Sequence, residues 1–486
     1  MRISVVLTSI LLNLAVLSFF LLDYPHRGAA FNSDAQYLPV LLNDLLHRGG
    51  SLSDWHLTPS PYFFPDMMVF GLISTVGADA YLNIYTYAII QTIFCYLAII
   101  ALMKNLGLGN YLQVSFAFII IYIALALFVG RLFQYIFISA HHFSIVIIGI
   151  LLLSFIIKES KNKNLFLTTA FFLSFGITLS DSLFIVQFGI PFIITSLFYL
   201  LVFKSSIYIR DSILIFFGSL LGHLSYPAFV SNIKRYSPDI GPEKILLFIS
   251  SPVDISKWDL FNIILLLSLL IFIIAGVVAL RAKLFSFSGR EKLFYITCFG
   301  IFSLIINSLV LLLSENIQSV DRYFIPLGIF LSIAIVLFSE LFFKNAKVIY
   351  FYCVISISTI LFNSLYLYYG KNGLSSYEHN AKACLIDIIV SNNLGNGVAA
   401  YWDAKKYQAM TNFKTEIAQH SNIGHEYRWI TSDIYFNYTP TFVLTSSNLD
   451  SLKLNDLKVI NGDPDSFYSC GLIDVAIWRG GVILKR

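Results

Sequence analysis

The stretch IILLLSLLIFIIAGVVAL, residues 263–280, decides the fold class of this chain. It contains no charged side chain, and its length matches the run of about 20 apolar residues that a helix needs to cross a membrane. A strand of a membrane β-barrel would instead alternate apolar and polar residues. The chain has 486 residues, 57% hydrophobic and 12% charged, whereas a soluble domain has about 25% charged residues. The composition predicts an all-α polytopic membrane protein, and a net charge of +4 gives no case for nucleic acid as a partner.

About eleven spanning segments are predicted along the chain. They lie near residues 3–22, 81–103, 111–130, 135–157, 165–180, 183–203, 212–230, 261–280, 293–313, 323–343 and 348–369. With the N-terminus in the cytoplasm, nearly every short inside loop carries Lys or Arg, as the positive-inside rule requires. These basic residues are Lys104, Lys158, Lys161, Lys163, Lys204, Arg210, Arg281, Lys283, Arg290, Lys292, Lys344 and Lys347. The first segment is interpreted as a retained helix rather than a signal peptide, because its apolar run is long and no clear cleavage site closes it.

Residues 62–79 are apolar enough to enter the membrane, but we predict that they do not cross it. A crossing here would reverse every later loop and place the basic loops outside. A re-entrant or interfacial segment is therefore expected. The outer face then carries the loop of residues 23–80 and the tail, so residues 1–369 form a transmembrane domain and residues 370–486 an extracytoplasmic domain.

The tail has ordinary polarity and enough residues for one small α/β domain. KACLIDIIVSNN (382–393) has the apolar spacing of a helix. Strands are predicted in GVAAYW (397–402), TFVLTSS (441–447) and DVAIWRGGVIL (474–484).

The five cysteines divide into two groups. Cys95, Cys298 and Cys353 lie in apolar runs and are predicted to be inert core residues. Cys384 and Cys470 lie in the polar tail, where an oxidising outer compartment favours a disulfide between them. The alternative is two free buried thiols.

Asp34 stands at the start of SDAQYLPVLLNDLLH, residues 33–47. Apolar residues recur on one face of a helix predicted over residues 34–47, and such a helix would lie in the membrane interface. The opening residues Ser33-Asp34-Ala35-Gln36 have a capping-box pattern. Two interpretations of Asp34 stay open: a carboxylate that stabilises the first turn through the helix dipole, or a general base at the membrane surface.

The same loop contains a Trp and Pro cluster, formed by Trp55, Pro59, Pro61 and Pro65. Three further candidate residues lie in or beside this cluster: Asp54, His56 and Asp66. Asp54 can cap a turn before Trp55, and Asp66 can start the next helix after Pro65. Either carboxylate can instead bind a sugar hydroxyl, or a metal together with His56. No Asp-x-Asp pair occurs in the loop, so neither a metal nor another cofactor is predicted.

Polar residues predicted near the outer membrane surface are Arg131, His141, His142 and Asp181. Ionisable groups at this depth usually face the interior of a helix bundle or a wet cavity. Adjacent residues of a helix point about 100° apart, so at most one of the two histidines should face a site. The alternative for each histidine is a hydrogen-bonded packing residue.

The segment SVDRYFIPLGIF, residues 319–330, places Arg322 and Tyr323 at the outer mouth of a late span. An Arg at a helix mouth can extend to lipid headgroups. It can also bind a phosphate through two parallel hydrogen bonds.

Together these motifs resemble the GT-C superfamily of membrane glycosyltransferases, in particular protein O-mannosyltransferases and aminoarabinose transferase-like bacterial proteins. The resemblance is carried by SDAQYLPVLLNDLLHRGG after the first span, by DWHLTPSPYFFPD, by DRYFIP at a late span, and by the domain after the last span. It extends over nearly the whole chain through short motifs.

The resemblance implies a polyprenyl-phosphate sugar donor, used at the outer face of a bacterial inner membrane, and a glycan, lipid or protein acceptor of the cell envelope. Asp34 matches the family's catalytic Asp, and Arg322 matches the Arg near the lipid phosphate. Many relatives have Asp-Glu where this chain has Asp34-Ala35. The remaining candidates for substrate binding are Asp54, His56, Asp66, Arg131, His141, His142, Asp181 and Tyr323.

Three other functions compete with a glycosyltransferase. A transporter or flippase for lipid-linked glycans should have charged residues in the middle of several spans, and this chain has few. A glycan polymerase or ligase should have large basic outer loops. A non-catalytic assembly protein would tolerate loss of the Asp34 carboxylate.

Overall fold

The computed structural model describes residues 31–77, 79–128, 131–158, 163–229, 287–312, 321–343, 374–446, 450–471 and 473–484. Three of the predicted spans, 3–22, 261–280 and 348–369, lie outside the described residues, as does Cys353.

The described residues of the first domain are helical. The helices are α1 (Tyr37–His47), α2 (Met68–Val76), α3 (Ala80–Leu106), α4 (Tyr111–Phe128), α5 (Arg131–Gln134), α6 (Phe143–Ile156), α7 (Lys163–Ser180), α8 (Ile190–Phe203), α9 (Ile209–Phe229), α10 (Phe287–Leu312) and α11 (Ile325–Phe343). Single turns of 3-10 helix lie at Leu52–Asp54, Tyr135–Phe137 and Asp321–Phe324, and π-helical turns lead into α2 and α8 at Phe63–Met67 and Ile185–Gly189.

Three of the described segments are long and apolar enough to cross a membrane: Ala80–Leu106, Ile185–Phe203 and Glu291–Val310. The other described apolar helices are shorter, so the structure does not support the predicted count of eleven. Their composition matches the prediction, but Phe63–Val76, Tyr111–Leu127, Phe143–Ile156, Asn164–Ser180 and Arg322–Leu337 each fall short of the length required of a span. The chain is therefore a membrane protein by its three long apolar helices.

Close backbone contacts hold parts of this bundle together. α7 and α9 pack where Gly218 and Gly222 face α7, and a Cβ at Gly222 would lie 2.4 Å from the carbonyl oxygen of Phe175. Small residues four positions apart let two helices approach in this way. On the outside of the bundle large apolar side chains are exposed, among them Leu72, Leu165, Phe172, Leu201 and Leu224. Such a surface fits contact with lipid.

Residues 62–79 form a short helical excursion. Phe63–Val76 is apolar but not long enough to qualify as a span, since its length at 1.5 Å per residue is about 21 Å against ~30 Å of hydrocarbon. The chain turns back at Asp79, whose carboxylate accepts a hydrogen bond from Leu82 N and caps α3. Its re-entrant or interfacial placement stays a prediction.

Helix α1 differs from the expectation in two ways. It begins at Tyr37 rather than at residue 34, and no side chain caps it. Its residues from Tyr37 to Asp44 are all buried, including the polar Asn43 and Asp44. The predicted exposure of one face of this helix is therefore wrong: α1 is packed inside protein, where it contacts α2 and the C-terminal domain.

The C-terminal domain is α/β, as predicted. It contains α12 (Leu374–Ser391), β1 (Asn396–Ala400), α13 (Tyr401–Met410), β2 (Glu416–His420), β3 (Phe442–Ser446), α14 (Leu454–Asn461), β4 (Ser466–Ser469) and β5 (Ile473–Ile477). The sheet order is β2-β1-β3-β5-β4. β1 pairs in parallel with β2 and β3, with Val398 opposite Ala418 and Val443, and β5 pairs antiparallel with β3 and β4.

The predicted pairing of Cys384 with Cys470 is confirmed. Their sulfurs are bonded and their Cα atoms are 5.7 Å apart. The bond joins α12 to the turn between β4 and β5, across a core that includes Leu385 and Ile473. Cys95 and Cys298 are buried free thiols, as expected.

Candidate functional site

Asp34 lies in the turn that precedes α1. Asn32 Oδ1, not the Asp34 carboxylate, accepts a hydrogen bond from a backbone N–H of this turn, that of Ala35 at 2.8 Å. The first turn of α1 contains no acidic residue. The predicted capping box at residues 33–36 is therefore wrong, and helix capping does not explain Asp34.

The Asp34 carboxylate instead contacts two side chains that are distant in sequence. Arg322 Nη1 donates to Asp34 Oδ2 at 3.2 Å, and the Tyr401 hydroxyl donates to Asp34 Oδ1. The side chains of Asp34 and Arg322 are 19% and 27% exposed, so a solute can reach the pair. Arg322 Nε is buried and has no hydrogen-bond partner among the described residues. The candidate site is thus a carboxylate and a guanidinium with an unused donor.

The charges around Asp34 favour its ionised form. Burial alone would raise the pKa of the Asp34 carboxyl. The positive charge of Arg322, followed by smaller effects of His141, the Tyr401 hydroxyl and Lys405, outweighs burial and holds that pKa below its ordinary value. Asp34 is therefore a carboxylate at neutral pH.

His142 and Asp181 form a buried pair beside this carboxylate–guanidinium pair. His142 Nδ1 lies 2.5 Å from Asp181 Oδ2, and Ser60 Oγ donates to Asp181 Oδ1 at 2.9 Å. The other ring nitrogen of His142 is 3.3 Å from the Tyr62 hydroxyl. The ring of His142 also lies 5.3 Å from that of Tyr323, the neighbour of Arg322 in sequence. The carboxylate of Asp181 fixes the ring orientation of His142 next to the site.

The two histidines are not on a helix, contrary to the expectation. They lie in the loop before α6, and His142 has φ 66°. A positive φ is uncommon for a residue with a Cβ. With this backbone conformation, the two side chains do not have the angular separation that they would have on a helix. His141 Nδ1 lies 2.7 Å from the carbonyl oxygen of Ser139, and its ring stacks on Tyr135. Both histidines are buried, and His141 interacts electrostatically with Asp34.

Asp66 is enclosed within the helix bundle. Its carboxylate accepts hydrogen bonds from the Tyr87 hydroxyl and from Ser144 Oγ, so it ties α2 to α3 and α6. It is 2% exposed. These contacts fit a structural role for Asp66 under the site better than direct contact with a substrate.

The other candidates from the first loop lie at the contact with the C-terminal domain or on the surface. Asp54 Oδ2 accepts from Ser51 N at 3.3 Å and closes the capping box of a 3-10 turn. His56 Nε2 lies 2.8 Å from Asp433 Oδ1, in the C-terminal domain. Arg131 begins the short helix α5, and its side chain is outside the described structure.

Two residues of the site were missed by the sequence reasoning, Tyr401 and Lys405. Both belong to α13, whose first two residues, Tyr401 and Trp402, were predicted to lie in a strand. Lys405 is buried and acts electrostatically on Asp34. No local pattern marks either residue, because their role depends on how the C-terminal domain packs on the first loop.

Within the described ranges, no three His, Cys, Asp or Glu side chains lie together as a metal ion would require. No protein-family model, curated protein or solved structure matches the chain. The resemblance to GT-C glycosyltransferases therefore rests on the sequence motifs alone.

Proposed function

We propose that the protein is a glycosyltransferase that moves a sugar from a polyprenyl-phosphate donor to a cell-envelope acceptor at the outer face of a bacterial inner membrane. One observation carries the proposal. A partly exposed carboxylate, Asp34, lies 3.2 Å from a partly exposed guanidinium, Arg322, at one end of a helix bundle with spanning helices. An inverting transfer from a lipid phosphate needs a general base and a cation for the leaving phosphate.

Asp34 is the general base in this proposal. As the acceptor oxygen forms its bond to the anomeric carbon, the bond from that carbon to the phosphate oxygen breaks, and the hydroxyl proton passes to the Asp34 carboxylate. A carboxylate that is ionised at neutral pH can accept this proton as charge develops on the sugar ring.

Arg322 stabilises the departing lipid phosphate. Its guanidinium contacts Asp34 through Nη1, and its side chain is 27% exposed. A planar guanidinium can thus remain next to the base while its other donors bind phosphate oxygens. Tyr323 and His142 line the same side of the site through their ring contact.

The proposed orientation of the protein in the membrane rests on the basic loops. Lys104 lies in the last turn of α3, the end of that helix opposite to Asp79 and the first loop. Asn105 next to it donates to Ser154 near the end of α6, whereas His142 stands at the start of α6. The positive-inside rule favours a cytoplasmic position for the lysine end, and the proposal accordingly has the site and the C-terminal domain outside.

Substitution of the two central side chains tests the proposal. Asp34→Asn and Arg322→Ala should each lower sugar transfer by about 100-fold or more, the usual effect of removing a general base or an electrostatic stabiliser. Transfer is measured as the envelope glycan profile of a strain that lacks the gene and carries each variant. Asp463→Asn is the matched control, since Asp463 is 86% exposed on the C-terminal domain.

Wild-type levels of glycan in both variants, with normal amounts of protein in the membrane, would exclude catalysis at this site. That outcome would favour an assembly protein. Loss of glycan together with accumulation of the donor on the cytoplasmic face would favour a transporter or flippase.

A further inference from the structure

The C-terminal domain reaches the candidate site through the first turn of α13. The Ser33 hydroxyl donates to the backbone carbonyl oxygen of Tyr401, and the Tyr401 hydroxyl donates to Asp34 Oδ1. Two consecutive residues of the first loop are therefore bound to one residue of the C-terminal domain. This contact fixes the position of Asp34 relative to α13.

Lys405 stands one helical turn after Tyr401, on the same face of α13. It is 2% exposed, and its Nζ donates to Gln419 Oε1 in β2. Gln419 is itself held by its amide nitrogen, which donates to the carbonyl oxygens of Tyr427 and Trp429 at 2.8 Å each. Burying an ammonium group costs free energy unless an opposite charge or hydrogen bonds compensate for the lost hydration. Asp34 is the carboxylate whose charge acts on Lys405.

The hydroxyl of Tyr401 is not needed to keep its ring in place. The ring packs edge-on against Trp402 and Tyr427, with centroid distances of 4.8 Å and 5.6 Å, and Lys405 Nζ lies 5.0 Å from its centroid. A simple docking role would be served by these ring contacts alone. The hydroxyl adds one bond, and that bond goes to the candidate general base.

We infer that the C-terminal domain completes the site, with Tyr401 and Lys405 as positioning residues that orient the Asp34 carboxylate. The inference rests on the proposed function only for the role of Asp34 as base. Tyr401 occupies Oδ1, so Oδ2, beside Arg322, is the oxygen that is oriented toward the acceptor hydroxyl. The charged or titratable groups facing Asp34 are Arg322, His141, Tyr401, Lys405 and Tyr427.

An infrared titration of Asp34 tests this without using any substrate. The full-length protein is placed in lipid nanodiscs, and the band of the protonated carboxyl is identified as the one missing in Asp34→Asn. Because the Tyr401 bond favours the carboxylate, Tyr401→Phe should raise the titration midpoint of Asp34 by about 1 pH unit, the order expected for one hydrogen bond to a charged group. Lys405→Met should raise it as well. Tyr468→Phe, at a 37% exposed tyrosine of β4, is the matched control and should leave it unchanged.

Transfer assays of the same purified variants, at varied concentrations of a polyprenyl-phosphate sugar and at varied pH, then connect the titration to catalysis. Tyr401→Phe should lower transfer about 10-fold with little change in donor KM, because a misplaced base affects the chemical step, and the acid limb of its pH profile should move to higher pH. An unchanged midpoint in both Tyr401→Phe and Lys405→Met would overturn the inference even if Asp34 proves to be catalytic. A raised midpoint in a protein whose Asp34→Asn variant still transfers sugar would refute the proposed function but keep the contact between α13 and Asp34.

Discussion

Lys405 is the residue whose environment departs furthest from that of an ordinary surface lysine. Burial lowers the pKa of its ammonium to about 7, and the nearby charge of Asp34 opposes this only in part. An unfolded lysine has a pKa near about 10.4. Between pH 7 and pH 10 the unfolded chain therefore binds more protons than the folded chain, and the free energy of unfolding rises with pH across this window.

In the Lys405→Met variant, the free energy of unfolding should no longer rise with pH in this window. The wild-type chain should gain up to about 1.4 kcal/mol per pH unit near the middle of the window, and the variant should lack that slope. Urea unfolding of the full chain at several pH values, followed by tryptophan fluorescence, measures the difference. Lys406→Met, at a half-buried neighbour, is the control and should keep the wild-type slope. Equal slopes for wild type and Lys405→Met would show that the ammonium is not desolvated.

Residue chemistry predicted part of this site. Asp34 and Arg322 could be selected from the sequence, because Asp34 opens the helix predicted over residues 34–47 and Arg322 stands at the predicted mouth of a late span. Tyr401 could not, since a tyrosine within a predicted strand is most simply a core residue. The buried lysine was also missed because burial of Lys depends on partners such as Gln419, which only the folded domain brings near it.

At the scale of elements, α7 and α9 show how small residues determine packing. A Cβ added at Gly222 would lie 2.4 Å from Phe175 O and 3.0 Å from Leu179 N, both backbone atoms that cannot move aside cheaply. We expect Gly222→Ala to destabilise the bundle by about 1–3 kcal/mol, as overpacking usually does. The thermal midpoint of the purified protein in detergent reports this loss.

Gly71→Ala in α2 is the matched control. Its nearest neighbour would be Leu42 Cδ2 at 3.8 Å, an ordinary van der Waals contact. Alanine is also the better helix former, so this variant should be neutral or slightly more stable. If Gly222→Ala melted at the temperature of Gly71→Ala, the close approach of α7 and α9 would be wrong.

The existence of elements was easier to predict than their bounds. Strands β1, β3 and β5 were recognised because buried aliphatic residues dominate them. β2, with the sequence EIAQH, was missed because its polar Gln419 and His420 are buried, which no alternation rule anticipates. β4 is a short edge strand with exposed residues and gives a weak signal.

At the scale of the whole molecule, Trp55 joins the first loop to the C-terminal domain. Its ring packs edge-on between Tyr37 of α1 and Tyr435 of the C-terminal domain, each with a centroid distance of 6.2 Å. Its indole N–H donates to Asp44 at 2.8 Å. Trp55 of the Trp and Pro cluster thus has a structural role at the contact between the two domains, which the sequence of the loop alone could not indicate.

Arg48 makes a second connection across the same contact. It pairs with Glu416 at 2.6 Å and donates to the carbonyl oxygen of Phe413 at 2.8 Å. The buried apolar core continues from α1 through Trp55 into Ala418, Ile430 and Tyr435 of the C-terminal domain. The core of the first predicted domain therefore extends into the C-terminal domain, whose sheet also packs around a separate core that includes Leu385 and Ile473.

Trp55→Ala should consequently affect both the stability of the C-terminal domain and the site. Removing a buried tryptophan costs about 3–5 kcal/mol, and here it also leaves the Asp44 carboxylate without its buried donor. We expect trypsin to cleave the C-terminal domain of the variant faster in intact membranes. Trp402→Ala, at a 39% exposed tryptophan, is the control for the same change and should retain wild-type resistance. Because Asp34 contacts Tyr401 across this contact, the titration midpoint of Asp34, measured by infrared spectroscopy, should rise in Trp55→Ala. A protease-sensitive variant with an unchanged midpoint would show that the site does not depend on the docked domain.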